Sequence, residues 1–172
     1  DDIDFELGDI RDYQFLERIF TKQSNKGCTF EGVIHFCGLK SVRDSMNNKL
    51  AYWDVNLNGT INLIKLMKKF HCYNLVFSSS ATVYGDIHHK PIKENSQIQP
   101  VNTYGETKAV IEKFLKDVQN EFSSKFKIAV LRFFNPVGAH KSGLIGELPL
   151  GTPNNIFPLL IDTAYGIKEK LN

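Results

Sequence analysis

Cysteine is scarce in this chain. Cys28, Cys37 and Cys72 make three in 172 residues, an odd number with no C-x-x-C spacing, which argues against a disulfide framework and against a zinc site. Idle or buried thiols are expected. No cysteine or carboxylate cluster stands at ligand spacing beside the pair His88 and His89, so no metal is expected. An excess of one charge is also missing: 21 basic residues against 19 acidic ones give a net charge of +2, which offers no footing to nucleic acid or to an acidic membrane surface. The run Lys65, Lys68, Lys69 reads as a solvated helix face. Neither an apolar run long enough to span a bilayer nor a charged leader before an apolar core is found, and a soluble cytoplasmic protein is the expectation. Residues 1–172 also contain no G-x-G-x-x-G or comparable glycine-rich turn between a strand and a helix.

What is present suffices for one ordinary domain with a core, since 42% of the residues are hydrophobic. Three apolar, β-rich runs, "GVIHF" (32–36), "NLVFSSS" (74–80) and "KIAVLRFF" (127–134), alternate with helical periodicity. That alternation predicts an α/β fold, a parallel sheet with helices on both faces. Between the first two runs, Trp53, Leu57, Ile61, Ile64 and Met67 or Lys68 recur at helical intervals and predict a crossover helix. After Pro100, Thr103 and Glu106 stand at capping-box spacing. From there Val110, Ile111, Phe114, Leu115, Val118 and Phe122 repeat at three- and four-residue steps, so this helix buries one stripe against the sheet. The opening "DFELGDIRD" reads as the tail of a strand entering a helix, and a helix-like segment at 156–170 ends abruptly, so an internal fragment of a longer protein is expected.

The stretch "TYGETK" (103–108) sets Tyr104 and Lys108 four residues apart on that predicted helix, where they are neighbours on its surface. A free tyrosine has a pKa near 10, so only about one molecule in a thousand is phenolate at pH 7. A positive charge about 5 Å away contributes roughly 3 kcal/mol at an effective dielectric near 20, which is about two pKa units. A lysine together with a second cation, such as an oxidised nicotinamide ring, therefore brings a tyrosine near neutrality as a base. Tyr-x-x-x-Lys alone is a weak signal, because a lysine-rich helix produces it by accident. Upstream, "FSSSATVYG" (77–85) ends an apolar strand in three hydroxyls. The carboxyl ends of strands in an open parallel sheet are where ligands bind, although serines and threonines after a strand also cap turns.

Taken in order, "VIHFCGLKSV", "FSSSATVYG", "TYGETK", "LRFFNPVGAH" and "GTPNNIFP" resemble the UDP-glucose 4-epimerases (UDP-galactose 4-epimerases) of the extended short-chain dehydrogenase/reductase family, over nearly the whole chain. The resemblance implies a Rossmann-type doubly wound parallel sheet. Residues 1–135 would be the central and C-terminal part of an NAD-binding domain whose first βαβ unit is missing, and 136–172 the beginning of a smaller UDP-sugar-binding domain. Residue by residue it implies Tyr104 as catalytic base, Lys108 as the lysine on the nicotinamide ribose, and Ser80 as the hydroxyl on the sugar. It implies Asp9 and Ile10 beside the adenine, with Phe36, Lys40 and Phe133 as further cofactor contacts. Ala81, Thr82, Phe134, Asn135, Asn154 and Asn155 would face the UDP-sugar. Departures from the family pattern are Cys37 in place of alanine, Phe133 in place of tyrosine, Arg43 and Asp44 in place of small or acidic neighbours, and a loop between Ser80 and Tyr104 one residue shorter.

The activity so implied is NAD-dependent interconversion of UDP-glucose and UDP-galactose, by transient oxidation at C4, rotation of the keto sugar and return of the hydride, in a protein that is a homodimer when full length. Other readings stay open. A nucleotide-sugar dehydratase of the same fold needs an Asp-Glu pair directly after the serine, where this chain has Ala81 and Thr82. A simple oxidoreductase would release the keto product. From a different class, a non-catalytic module would only bind nucleotide sugar or a protein partner.

Overall fold

A computed structural model of the chain describes residues 3–86, 91–122, 125–147 and 155–171. It divides into two compact units, Asp1–Phe133 and Phe134–Asn172. The first opens on helix α1, Tyr13–Asn25, whose N-cap Asp12 accepts the Phe15 amide, one of the donors a helix start leaves free. Strand β1, Val33–His35, leads to helix α2, Val42–Asn47, capped by Ser41 through the Asp44 amide. A short helix α3, Lys49–Tyr52, widens into a π turn, Trp53–Asn58, that continues as helix α4, Gly59–Lys69. Strand β2, Asn74–Ser80, a 3-10 turn at Ala81–Tyr84, helix α5, Thr103–Glu121, and strand β3, Lys127–Phe133, complete the unit.

The sheet is parallel throughout, in the order β1-β2-β3. Its strands fall on the three expected runs, with the first and last trimmed at their ends. Register sets Val33 opposite Leu75 and Leu75 opposite Ile128, and carries β2 against β3 from the Asn74–Lys127 pair to the Ser80–Phe133 pair. Side chains alternate across a strand. Leu75 and Phe77 accordingly join Leu66, Met67, Ile111 and Leu115 in one buried cluster between sheet and helices, each such side chain contributing about 1.5–3 kcal/mol by leaving water. The alternate residues face outward: Ile34 is 67% exposed. Among the described residues the helices pack on the face that carries Leu75 and Phe77, and the parallel α/β arrangement is the one the sequence predicts.

Of the stripe expected for the crossover helix, Ile64 and Met67 are buried, while its first three positions lie one residue away from the buried ones. Tyr52, Asn56, Thr60, Leu63 and Met67 face inward, while Trp53, Leu57 and Ile61 are only half-buried. The π turn holds more residues per turn than an α-helix, and Asn56 is its buried residue. In the second unit, helix α6, Ile156–Ala164, is followed by Gly166 at φ 72°, within the longer span 156–170 that the sequence suggests.

One buried ion pair ties the elements of the first unit together. Arg132 of β3 donates Nε and Nη2 to the Glu112 carboxylate of α5 at 2.7–3.2 Å, and Nη1 to the Tyr84 hydroxyl and the Glu94 carbonyl, both at 2.8 Å. Ser79 of β2 donates to the same carboxylate. With the Glu112 side chain only 9% exposed, removing its partner strands a charge in the interior. Arg132→Met in the full-length protein is expected to lower stability by about 3–5 kcal/mol, read by urea denaturation. The double variant Arg132→Met, Glu112→Leu should recover much of that loss.

Candidate functional site

The turn after β2 is wound around one hydroxyl. Ser80 Oγ accepts from the Thr82 amide at 3.2 Å and from Thr82 Oγ1 at 2.9 Å, which bends the chain into the 3-10 turn closed by Gly85 at φ 66°. Against it lies the start of α5. The cap there is Asn102, whose Oδ1 accepts the Gly105 amide at 2.8 Å. It stands one residue before the expected Thr103, which is instead the first helical residue and is buried. Gly105 sets the separation: a Cβ on it would lie 2.7 Å from the Thr82 carbonyl oxygen, far inside van der Waals contact. Only glycine lets the helix approach the serine turn this closely.

That approach brings Ser80, Tyr104 and Lys108 together, as the sequence predicts. Lys108, though a lysine, is 5% exposed. Its Nζ donates to the Ser78 carbonyl at 2.8 Å and sits 4.8 Å from the Phe77 ring centre and 5.8 Å from that of Tyr104. Burial pushes its pKa down to about 8, with Cys37 opposing slightly. Tyr104 departs from the expectation: its phenol is raised, not lowered, because burial outweighs the Ser80 hydroxyl, which pulls it down. The ammonium is engaged with the Ser78 carbonyl, and desolvation dominates the phenol.

Sequence reasoning missed the residue at the centre of this region. Asn56, in the π turn, is 2% exposed. Its Oδ1 accepts the Leu39 amide at 2.8 Å, and its Nδ2 donates to the Leu39 carbonyl at 3.1 Å and to Thr107 Oγ1 at 3.2 Å. It thus clamps the loop after β1 to the first turns of α5. At Gly38, φ 152°, a Cβ would come within 2.9 Å of Asn56 Oδ1, so the loop, too, needs a glycine. The signal available in the sequence was an asparagine four residues before Thr60.

The other expected residues are spread over both units. Asp9 is exposed and held by Arg11, which also donates to Asp54 at 2.9 Å; the Arg11 bonds to Asp9 depress its carboxyl to about 2. Ile10 packs on Gly59 at the start of α4, where a Cβ would meet Ile10 Cγ2 at 2.6 Å. Phe36 and Phe133, beyond β1 and at the end of β3, come together with ring centres 6.1 Å apart, both exposed. Lys40 is exposed on the loop before α2, and Ala81 and Thr82 are half-buried in the turn after Ser80. Phe134 and Asn135 are exposed in the second unit, where the Asn155 amide donates to Glu147 at 2.7 Å. Asn154 lies outside the described residues. Among the described residues no group of three or more His, Cys, Asp or Glu side chains is placed to hold a metal ion, and no helix is long and apolar enough to cross a membrane.

A parallel α/β sheet of Rossmann type, with serine, tyrosine and lysine gathered at a strand end, is the pattern of the extended short-chain dehydrogenase/reductases. The chain belongs to the family whose model, described as GDP-mannose 4,6 dehydratase, matches residues 1–171. It is 45% identical over 170 residues to a UDP-glucose 4-epimerase of Pisum sativum, covering 99% of this chain and 47% of that protein. UDP-glucose 4-epimerase 1 of Oryza sativa subsp. japonica is 47% identical over 169 residues, 98% of this chain and 46% of that protein. Among solved structures, the UDP-glucose-4-epimerase from Stenotrophomonas maltophila, with bound NAD and formylated UDP-arabinopyranose, superposes with a TM-score of 0.87 at 41% identity, covering 97% of this chain and 48% of that one. The enzyme from Bifidobacterium longum in complex with NAD+ and UDP gives 0.85 at 42% identity, covering 96% and 48%. The resemblance carried by the five motifs agrees with these relatives, and the chain spans about half the length of the curated relatives it matches.

The buried ammonium has a testable consequence. A lysine whose folded pKa is about 8 against an ordinary 10.5 carries its full desolvation penalty below the folded value. As pH rises from about 8 to 10.5 the folded form loses the proton while the unfolded chain keeps it, so stability rises. Lys108→Met should therefore be more stable than the parent at neutral pH. Chemical denaturation across that range should show the difference shrinking as the parent gains.

Proposed function

We propose that the full-length protein interconverts UDP-glucose and UDP-galactose as an NAD-dependent 4-epimerase. The observation that carries this reading is the meeting of the Ser80 turn with the first turns of α5, which gathers a hydroxyl, a phenol and a buried ammonium at one strand end. In this reading residues 1–135 belong to the nucleotide-binding domain and 136–172 begin the sugar-binding one. The relatives' NAD and UDP ligands support it, as does a dinucleotide's fit to the residues present. The facing Phe36 and Phe133 rings offer an apolar surface to a planar ring. Lys108 has further N–H donors for a ribose beyond the one given to Ser78. Asp9, Ile10 and Lys40 complete the cofactor contacts.

NAD, held by Lys108, Asp9, Ile10, Lys40 and the Phe36 and Phe133 rings, would supply a reversible hydride acceptor for C4 of the sugar. The chain's own residues handle the proton. Ser80 holds the sugar 4-hydroxyl, and Tyr104 takes its proton as the C4 carbonyl forms, then returns it when the alcohol is restored. The raised Tyr104 pKa makes the phenol a poor base by itself. Lys108, charged at neutral pH, and a cationic ring beside it supply the field that lowers it when the site is filled. Ala81, Thr82, Phe134, Asn135, Asn154 and Asn155 hold the UDP-sugar while its keto form turns over, and a homodimer in the cytoplasm completes the reading.

Dehydration, the reaction in the family model's description, is disfavoured by the same turn. Ala81 has no acid or base to give, and the Thr82 hydroxyl is spent on Ser80. The deciding experiment supplies UDP-galactose to the full-length protein and follows both UDP-glucose and nicotinamide absorbance. Epimer without net NADH is expected, and Tyr104→Phe should lower kcat about 10²–10⁴-fold while NAD stays bound. Stoichiometric NADH with a released keto sugar would point to an oxidoreductase, and near-normal rates in Tyr104→Phe would mean another base.

A further inference from the structure

A buried line of hydrogen bonds runs from β1 to the carbonyl of Tyr104, and its direction is set by counting protons. Thr60 Oγ1 donates its single proton to the Asn56 carbonyl at 2.6 Å. At its other contact, 2.9 Å from His35 Nε2, it can only accept. His35 must therefore be the tautomer with hydrogen on Nε2, which fits a ring 4% exposed whose pKa burial and the Lys108 charge depress to about 4. The same count holds further on. Thr107 Oγ1 gives its proton to the Tyr104 carbonyl at 2.7 Å, and so accepts from Asn56 Nδ2. Both threonines are fully buried. Every link is oriented one way, from His35 to Thr60 to the Asn56 backbone, and from the Asn56 amide to Thr107 to Tyr104.

Loss of the Thr60 hydroxyl leaves the His35 imidazole N–H without its partner in a buried site, while the Asn56 carbonyl keeps the Gly59 amide. The backbone of Tyr104 is the end of the line, and the side chain that leaves it carries the phenol. We propose that Thr60 and His35 are positioning residues for Tyr104: through Asn56 and Thr107 they hold the first turn of α5 in register with β1, and with it the phenol against Ser80. This rests on the epimerase reading for its kinetic consequence, but not for its structural one. His35 acts as a fixed donor, and no proton passes along the line in the reaction.

The test compares paired substitutions in the full-length protein. Thr60→Val keeps the shape and loses the hydroxyl, whereas Thr60→Ser keeps the hydroxyl. Likewise His35→Phe removes the donor, and His35→Gln restores an N–H. With UDP-galactose, Val and Phe should lower kcat about 10–100-fold with KM changed less than about twofold, while Ser and Gln should recover most of the rate. Hydrogen exchange of the cofactor-free protein supplies a second readout. Thr60→Val should speed exchange at the amides of Thr107 and Lys108 and leave that of Phe77 unchanged, and Thr60→Ser should match the parent. Equal losses in the Val and Ser forms, a loss confined to KM, or faster exchange at Phe77 as well would overturn the proposal in favour of simple packing. Should the parent protein not epimerise UDP-galactose at all, the functional reading fails on its own, and the exchange pattern alone decides the role of the line.

Discussion

The close approach of helix α5 to the turn after β2 is the constraint on which the site depends. Two backbones meet at Gly105 and Thr82 at a separation that excludes a Cβ, so the Ser80 hydroxyl and the Tyr104 phenol are brought together by main chain, and side-chain adjustment has little to add. Everything around the contact holds it closed. Asn102 caps the helix at the point of contact, Glu112 and Arg132 pin it two turns further along, and Asn56 ties it to the loop after β1. A site that works by geometry gains most from such fixing, since effective concentration falls quickly with misplacement.

Electrostatically, the same closeness sets two demands against each other. Excluding water strengthens any field acting on the phenol, yet it also penalises the ammonium that supplies the field. In Lys108 the compromise is visible: the charge is retained at neutral pH, but only just, and a backbone carbonyl from β2 shares the burden of solvating it. Tyr104 stands on the losing side of that balance until further positive charge arrives. The resting site thus holds a protonated phenol beside a buried cation.

Much of this was legible in the residues. The three strand runs, the stripe Ile111, Leu115 and Val118 of α5, and the meeting of Ser80, Tyr104 and Lys108 were legible from local pattern and motif, and all are present in the fold. What escaped depends on partners far apart in the chain. Asn56 reads as an ordinary polar helix residue, since its role comes from contacts with Leu39 and Thr107. Nothing within the strand run singles out Arg132, which Glu112 twenty residues earlier makes a clamp. The direction of the Tyr104 shift was likewise beyond reach, because a charge can be counted from a motif but burial cannot. The cap of α5 was misplaced by one residue for a smaller reason: Asn102 and Thr103 both suit the position, and only the backbone chooses between them.

The π turn at Trp53–Asn58 makes residue count itself a fixed quantity at this point of the chain. Each residue of a helix advances the facing direction by about 100°, so the surplus carried by this turn is an angular offset between the short helix α3 before it and the long helix α4 after it. Tyr52 and Asn56 look into the site and Leu63 and Met67 into the core only while that offset stands. Surface loops absorb an added or lost residue with little effect. Here a single deletion would act as a rotation of the whole of α4, turning a polar edge toward the sheet and carrying its apolar stripe out into water.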